Sequence, residues 1–119
     1  MITLLEESQG NVLGFHVSGK ATGDELKEKV EPIVEDAVDK YGSVNLVVVL
    51  NDFQGYDISG FWEELKMGIK HHDNLGRVAI VGDKKWEEIV TKLARPFDEK
   101  YFDMTELKEA WEWVEQPKV

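Results

Sequence analysis

Leu46-Val47-Val48-Val49-Leu50 is an unbroken apolar run rich in β-branched side chains, with no polar alternation. A strand wetted on one face alternates apolar and polar residues, so a run without alternation must be covered on both faces. Arg77-Val78-Ala79-Ile80-Val81 has the same character. Strands of this kind need helices on each side of their sheet, and that predicts an α/β fold. The chain of 119 residues suits one such domain and is too short for two ordinary ones.

The flanking segments supply the rest of the fold. Ile2-Thr3-Leu4-Leu5 and Val12-Leu13-Gly14-Phe15-His16-Val17 flank Ser8-Gln9-Gly10-Asn11 and read as a β-hairpin. Thr22 followed three residues later by Glu25 is a capping box, opening a helix with Leu26, Val30, Ile33, Val34, Ala37, Val38 and Tyr41 on one face. Pro32 predicts a kink or break near Glu31, and Gly42 predicts the helix end. A second helix is expected from about Asp57 or Ser59, and a third from Asp83 with Trp86, Ile89, Val90 and Leu93 inward. Phe97 to Phe102 reads as a last strand. Asp103 and Glu106 form another capping box, before a helix with Leu107, Trp111 and Val114 inward. The predicted order is ββαβαβαβα in a single domain, residues 1–119: a largely parallel five-stranded sheet with one antiparallel strand, flanked by four helices.

Composition then narrows the function. A formal charge of −10 repels phosphate backbones, which argues against nucleic acid as a partner. Residues 62–100 are locally neutral, and Lys66, Lys70, Lys84 and Lys85 could form a small basic patch there. The absence of cysteine removes disulfides and thiolate metal sites. No signal-peptide pattern opens the sequence, and no apolar run approaches the ~20 residues of a membrane-spanning helix. A cytoplasmic protein without an integral membrane segment is the expectation.

No catalytic constellation stands out. There is no G-x-S-x-G, no G-x-G-x-x-G and no P-loop, and Glu63-Glu64 read as solvated charge on an outer helix face. His71 and His72 are adjacent, about 100° apart on a helix, and cannot readily share one ion. His16 points away from Phe15 and Val17 along its strand. Asp52 and Asp83 follow strand ends, where ligands of open α/β sheets bind, but Asp83 is better explained as a helix cap. The expectation is no enzyme, no metal and no cofactor. Phe61, Trp62, Leu65 and Ile69 share one helical face, which suits either core packing or the wall of an apolar pocket. Met67 and Trp113 fall off the inner stripes of their helices; contiguous with other apolar groups, such residues mark an interface.

The opening hairpin, Glu31-Pro32, Leu46 to Leu50 with Asp52-Phe53-Gln54-Gly55, Phe61-Trp62, Lys66, Gly68, His71-His72, Arg77-Val78-Ala79, Asp83-Lys84 and Trp86 together resemble the STAS superfamily. The closest resemblance is to its bacterial SpoIIAA-like group, also described as STAS/SEC14-like. It covers nearly the whole chain. It implies a regulatory module that binds a protein partner and is switched by phosphorylation of a serine at the start of the helix after the third strand. Ser59, within Asp57-Ile58-Ser59-Gly60, matches that position, although Ile58 replaces the usual small polar residue and bulky Phe61-Trp62 follow. A plain helix-capping role for Ser59 or Asp57 is the competing account. The expected working surface is Asp57, Phe61, Trp62, Leu65, Met67 and Ile69, acting through a protein partner or self-association. The alternative is a carrier or sensor of an apolar, lipid-like small molecule at the same helix, peripheral to membranes.

Overall fold

A computed structural model describes residues 1–20, 22–54, 75–84, 86–87 and 98–116. The elements among them are β1 (Ile2–Leu4), β2 (Val12–Lys20), α1 (Gly23–Lys29), α2 (Glu31–Tyr41), β3 (Val44–Gln54), β4 (Leu75–Gly82) and β5 (Asp98–Asp103). A 3-10 turn, Met104–Glu106, then leads into α3 (Leu107–Glu115). The strands lie in one sheet in the order β1-β2-β3-β4-β5. Only β1 runs antiparallel to its neighbour; β2 to β5 are parallel. The expected mixed five-stranded sheet is present.

The unalternating run of β3 is explained by its position at the centre. Leu46, Val48 and Leu50 join one core with Phe15, Val34 and Ile80, on the face covered by α2. Val47 and Val49 point the other way, into a second core with Ala79, Val81, Phe102, Trp111 and Val114 under α3. β4 divides in the same manner, Val78 and Ile80 against Ala79 and Val81. Each buried aliphatic side chain contributes about 1.5–3 kcal/mol, so two opposed cores from one five-residue run fix the layering.

Pro32 breaks the first helix where its chemistry requires. α1 ends at Lys29, Val30 separates the two helices, and Pro32 sits in the first turn of α2. There its missing N–H is one of the donors that a helix start leaves unpaired anyway. Gly42 closes α2 at φ 82°, donating its N–H to Val38 O at 2.8 Å. A left-handed conformation of this kind is one that glycine adopts without steric cost. Tyr41, assigned inward by spacing, is instead 55% exposed in the last turn of α2.

The first helix is divided at Pro32, as the predicted break allowed. The helices expected from about Asp57 or Ser59 and from Asp83 fall mostly outside the described residues, so four flanking helices are not what those residues hold. The capping box at Thr22 is also half made. Thr22 Oγ1 accepts the Glu25 N–H at 3.1 Å, but the Glu25 carboxylate turns to β1, where Oε2 accepts the Ile2 N–H at 2.8 Å. Ile2 lies on an edge strand, and an unpaired strand N–H competes well for a carboxylate. The box at Asp103 is complete: Asp103 Oδ1 accepts from Thr105 N at 3.0 Å, and Glu106 Oε1 accepts from Asp103 N at 2.9 Å.

Candidate functional site

In a parallel sheet the carboxyl ends of the strands are the usual seat of function. Here β3 ends at Gln54, β4 at Gly82 and β5 at Asp103, with Gly82 directly beside Asp103. Tyr101 fastens this edge by donating its hydroxyl to Gly82 O at 3.0 Å. Burial holds the phenol above its ordinary pKa of 10.0, and the nearby Asp103, Glu87, Asp83 and Glu106 add to the effect. It serves as a fixed donor and gives up its proton reluctantly. Asp103 is held below its ordinary value, first by the Thr105 N–H, then by the Thr105 hydroxyl, with Lys84 adding a smaller pull. Its carboxylate is committed to starting the 3-10 turn.

Beyond Gly82 the chain turns at once. Trp86 donates its N–H to Asp83 O at 3.1 Å, and its indole packs into the α2-side core, 1% exposed. The expected inward Trp86 is therefore in place, and Asp83 and Lys84 are exposed on the rim. His16 is half-buried and opposite in direction to Phe15 and Val17, as the alternation required. Among the described residues no group of three or more His, Cys, Asp or Glu could hold a metal ion. Among them, too, no helix is long and apolar enough to cross a membrane.

The expected working surface, Asp57, Ser59, Phe61, Trp62, Leu65, Met67 and Ile69, lies outside the described residues, as do Lys66, Lys70, Lys85, His71 and His72. The side chain of Asp52 is likewise not described. What can be placed is the segment's point of departure, since β3, the central strand, runs to Gln54 at the carboxyl edge.

The face of the sheet under α3 holds a constellation that sequence reasoning missed. Asn45 on β3 accepts the Arg77 N–H with Oδ1 at 2.8 Å and donates Nδ2 to Val114 O at 2.9 Å, tying two strands to α3. Arg77 Nη1 donates to Trp113 O at 2.7 Å, a cation on the carbonyl end of the helix. The Arg77 guanidinium carbon lies 5.4 Å from the centre of the Trp113 ring. Lys100 Nζ sits 5.1 Å from the Phe102 ring centre and 5.8 Å from that of Trp113. The one signal in the sequence was Trp113 standing off its helix's inner stripe.

A mixed five-stranded sheet whose strands follow one another in chain order, with helices on both faces, defines an α/β domain of SpoIIAA-like architecture. The chain belongs to the SpoIIAA-like family, whose model matches residues 12–115. Among solved structures it is similar to an uncharacterized protein with a SpoIIAA-like fold from Shewanella loihica PV-4. The two are 27% identical, with a TM-score of 0.68, over 95% of this chain and 93% of that one. No curated protein matches the chain.

Proposed function

We propose that the protein is a non-enzymatic regulatory module acting through protein contacts, with the segment from Asp57 to Ile69 as its working surface. The observation that carries this reading is membership of the SpoIIAA-like family, whose model spans residues 12–115 and so includes that segment. By resemblance Ser59 stands for the family's regulatory serine, and it follows Gln54, the end of β3, by five residues. A phosphoryl group there would add up to two negative charges and three strong acceptors to a surface that binds by shape. Beside Asp57, the side chains of Phe61, Trp62, Leu65, Met67 and Ile69 would give the partner an aromatic and aliphatic anchor.

The test is capture of partners from the native host by crosslinking, with the intact protein and with alanine at Ser59, Phe61, Trp62 and Met67. Loss of a specific crosslinked partner in these variants supports the reading. Retention of every partner in all four overturns it. Native mass spectrometry provides an independent check: a lipid-sized mass that disappears on denaturation would replace the regulatory reading with that of a carrier.

A further inference from the structure

Arg77 and Lys100 converge on Trp113. Among the described side chains no carboxylate lies within ion-pair distance of either cation, whereas Lys29, Lys40 and Lys108 each have one. In a chain of net charge −10 this is an unusual use of two cations. Their positions are fixed by the fold. Arg77 is held by its bond to Trp113 O, and its Nε is buried without a hydrogen-bond partner. Lys100 is exposed on β5, the last strand of the sheet, with its ammonium over two aromatic rings. Phe102 and Trp113 stand 5.8 Å apart with their planes tilted by 53°, a stable aromatic pair that gives the corner an apolar floor.

We propose that this corner binds a short acidic segment of a protein partner, one or two carboxylates between Arg77 and Lys100 with an apolar neighbour on Trp113. The proposal rests on the reading of the protein as an interaction module and names the chemistry of a second contact. A carboxylate fits because a guanidinium and an ammonium already in place demand no rearrangement, and cations stacked on aromatic faces remain available to an anion. A long polyanion does not fit a chain whose net charge is −10.

The test is an NMR titration of the whole protein at low salt. The probe is a blocked hexapeptide with two adjacent glutamates between leucines, and the control peptide carries glutamines instead. The expected result is a saturable shift of the Trp113 indole and the Lys100 and Phe102 amides, weaker by about tenfold or more with the control. Lys100→Glu should abolish the shift, while Lys108→Glu, at an exposed position on α3, should leave it intact. Arg77 is not the residue to change first, because its loss also uncaps α3. Absence of a saturable indole shift, equal binding of the glutamine peptide, or indifference to Lys100→Glu overturns the proposal. The same shifts with inorganic phosphate at equal concentration also overturn it, since the corner would then be a plain anion site. If host partners are lost on substitution at Ser59 while this titration is negative, only the acidic-segment assignment fails. A positive titration with no host partner found supports the corner and removes the regulatory reading.

Discussion

Glu25 on α1 accepts the N–H of Ile2 on β1 at 2.8 Å, so a helix supplies the hydrogen-bond partner that an edge strand lacks on its outer side. The same carboxylate lies 3.6 Å from the amino terminus and 3.6 Å from Lys29 Nζ. Ile2 itself is buried in the α2-side core, 1% exposed. The bond therefore fixes both the strand's edge and the depth of its anchor.

Replacing Glu25 with alanine should cost about 1 kcal/mol, the net value of one such hydrogen bond where water can partly take over. Urea denaturation checks it, and the expected change is a lower midpoint at unchanged slope. A variant as stable as the parent would mean the edge N–H is satisfied equally well by solvent.

The same carboxylate gives a pH dependence. Partial burial works to raise the Glu25 pKa, but the Ile2 N–H, the amino terminus and Lys29 outweigh it and leave it below its ordinary 4.5. The folded state then binds this proton less tightly than the unfolded chain. Its contribution is complete above 4.5 and fades as pH falls through the lower folded value. Asp103, also lowered, acts with the same sign. Stability measured from neutral pH downward should fall below about pH 4.5, and Glu25→Gln should flatten that limb.

Tyr101 predicts the opposite limb. Its folded pKa lies above 10.0, so its stabilisation is present below that value and is lost as pH rises through the folded one. In an alkaline ultraviolet titration Tyr101 should ionise late, and Tyr101→Phe should remove that late phase. The substitution should also cost about 1 kcal/mol by leaving Gly82 O without this donor. A Tyr101→Phe titration that keeps the late phase of the parent would contradict the placement.

Gly14 admits no side chain. A Cβ there would lie 2.6 Å from Trp111 Cζ2 and 2.9 Å from Leu5 Cδ1. Gly14→Ala should destabilise by about 1–3 kcal/mol through overpacking. Because the displaced group is an indole, the fluorescence spectrum of the folded variant should change as well. An unaltered spectrum and midpoint would show that Trp111 does not rest on β2.

Asn45 uses both ends of its amide, on Arg77 N and on Val114 O. Asn45→Ala strands both groups and should cost about 2–3 kcal/mol, whereas Asn45→Asp keeps the acceptor but sets a carboxylate against Val114 O. The aspartate variant should therefore be no better than the alanine one at neutral pH, and should recover stability as the carboxyl protonates in acid. Chemical denaturation at two pH values separates these outcomes.

What the sequence made legible was local or periodic. The two-sided burial of β3, the break at Pro32, the end at Gly42 and the box at Asp103 each follow from neighbours within a few residues. Glu25 illustrates where that reach ends. Its choice between the nearby Thr22 backbone and Ile2, on a strand far back in the chain, depends on where β1 lies beside α1. The meeting of Arg77, Lys100 and Trp113 needed more still: the register of β4 against β5 and the return of α3 over them. The segment from Asp57 to Ile69 was identified by helical spacing and, for Ser59, by resemblance, and its residues lie outside those described, so the candidate surface rests on sequence while the sheet before it rests on structure.

The position of α3 bears on how the molecule comes into being. Residues leave the ribosome in chain order, and each strand of this sheet pairs with the one made just before it, so the sheet can assemble as it is synthesised. Its second face cannot. Val47, Val49, Ala79, Val81 and Phe102 wait for Ala110, Trp111 and Val114, which follow all five strands in the chain. Until the final turns of that helix emerge, the nascent protein carries a broad greasy flank, the kind of surface that chaperones recognise and that clumps when left unattended.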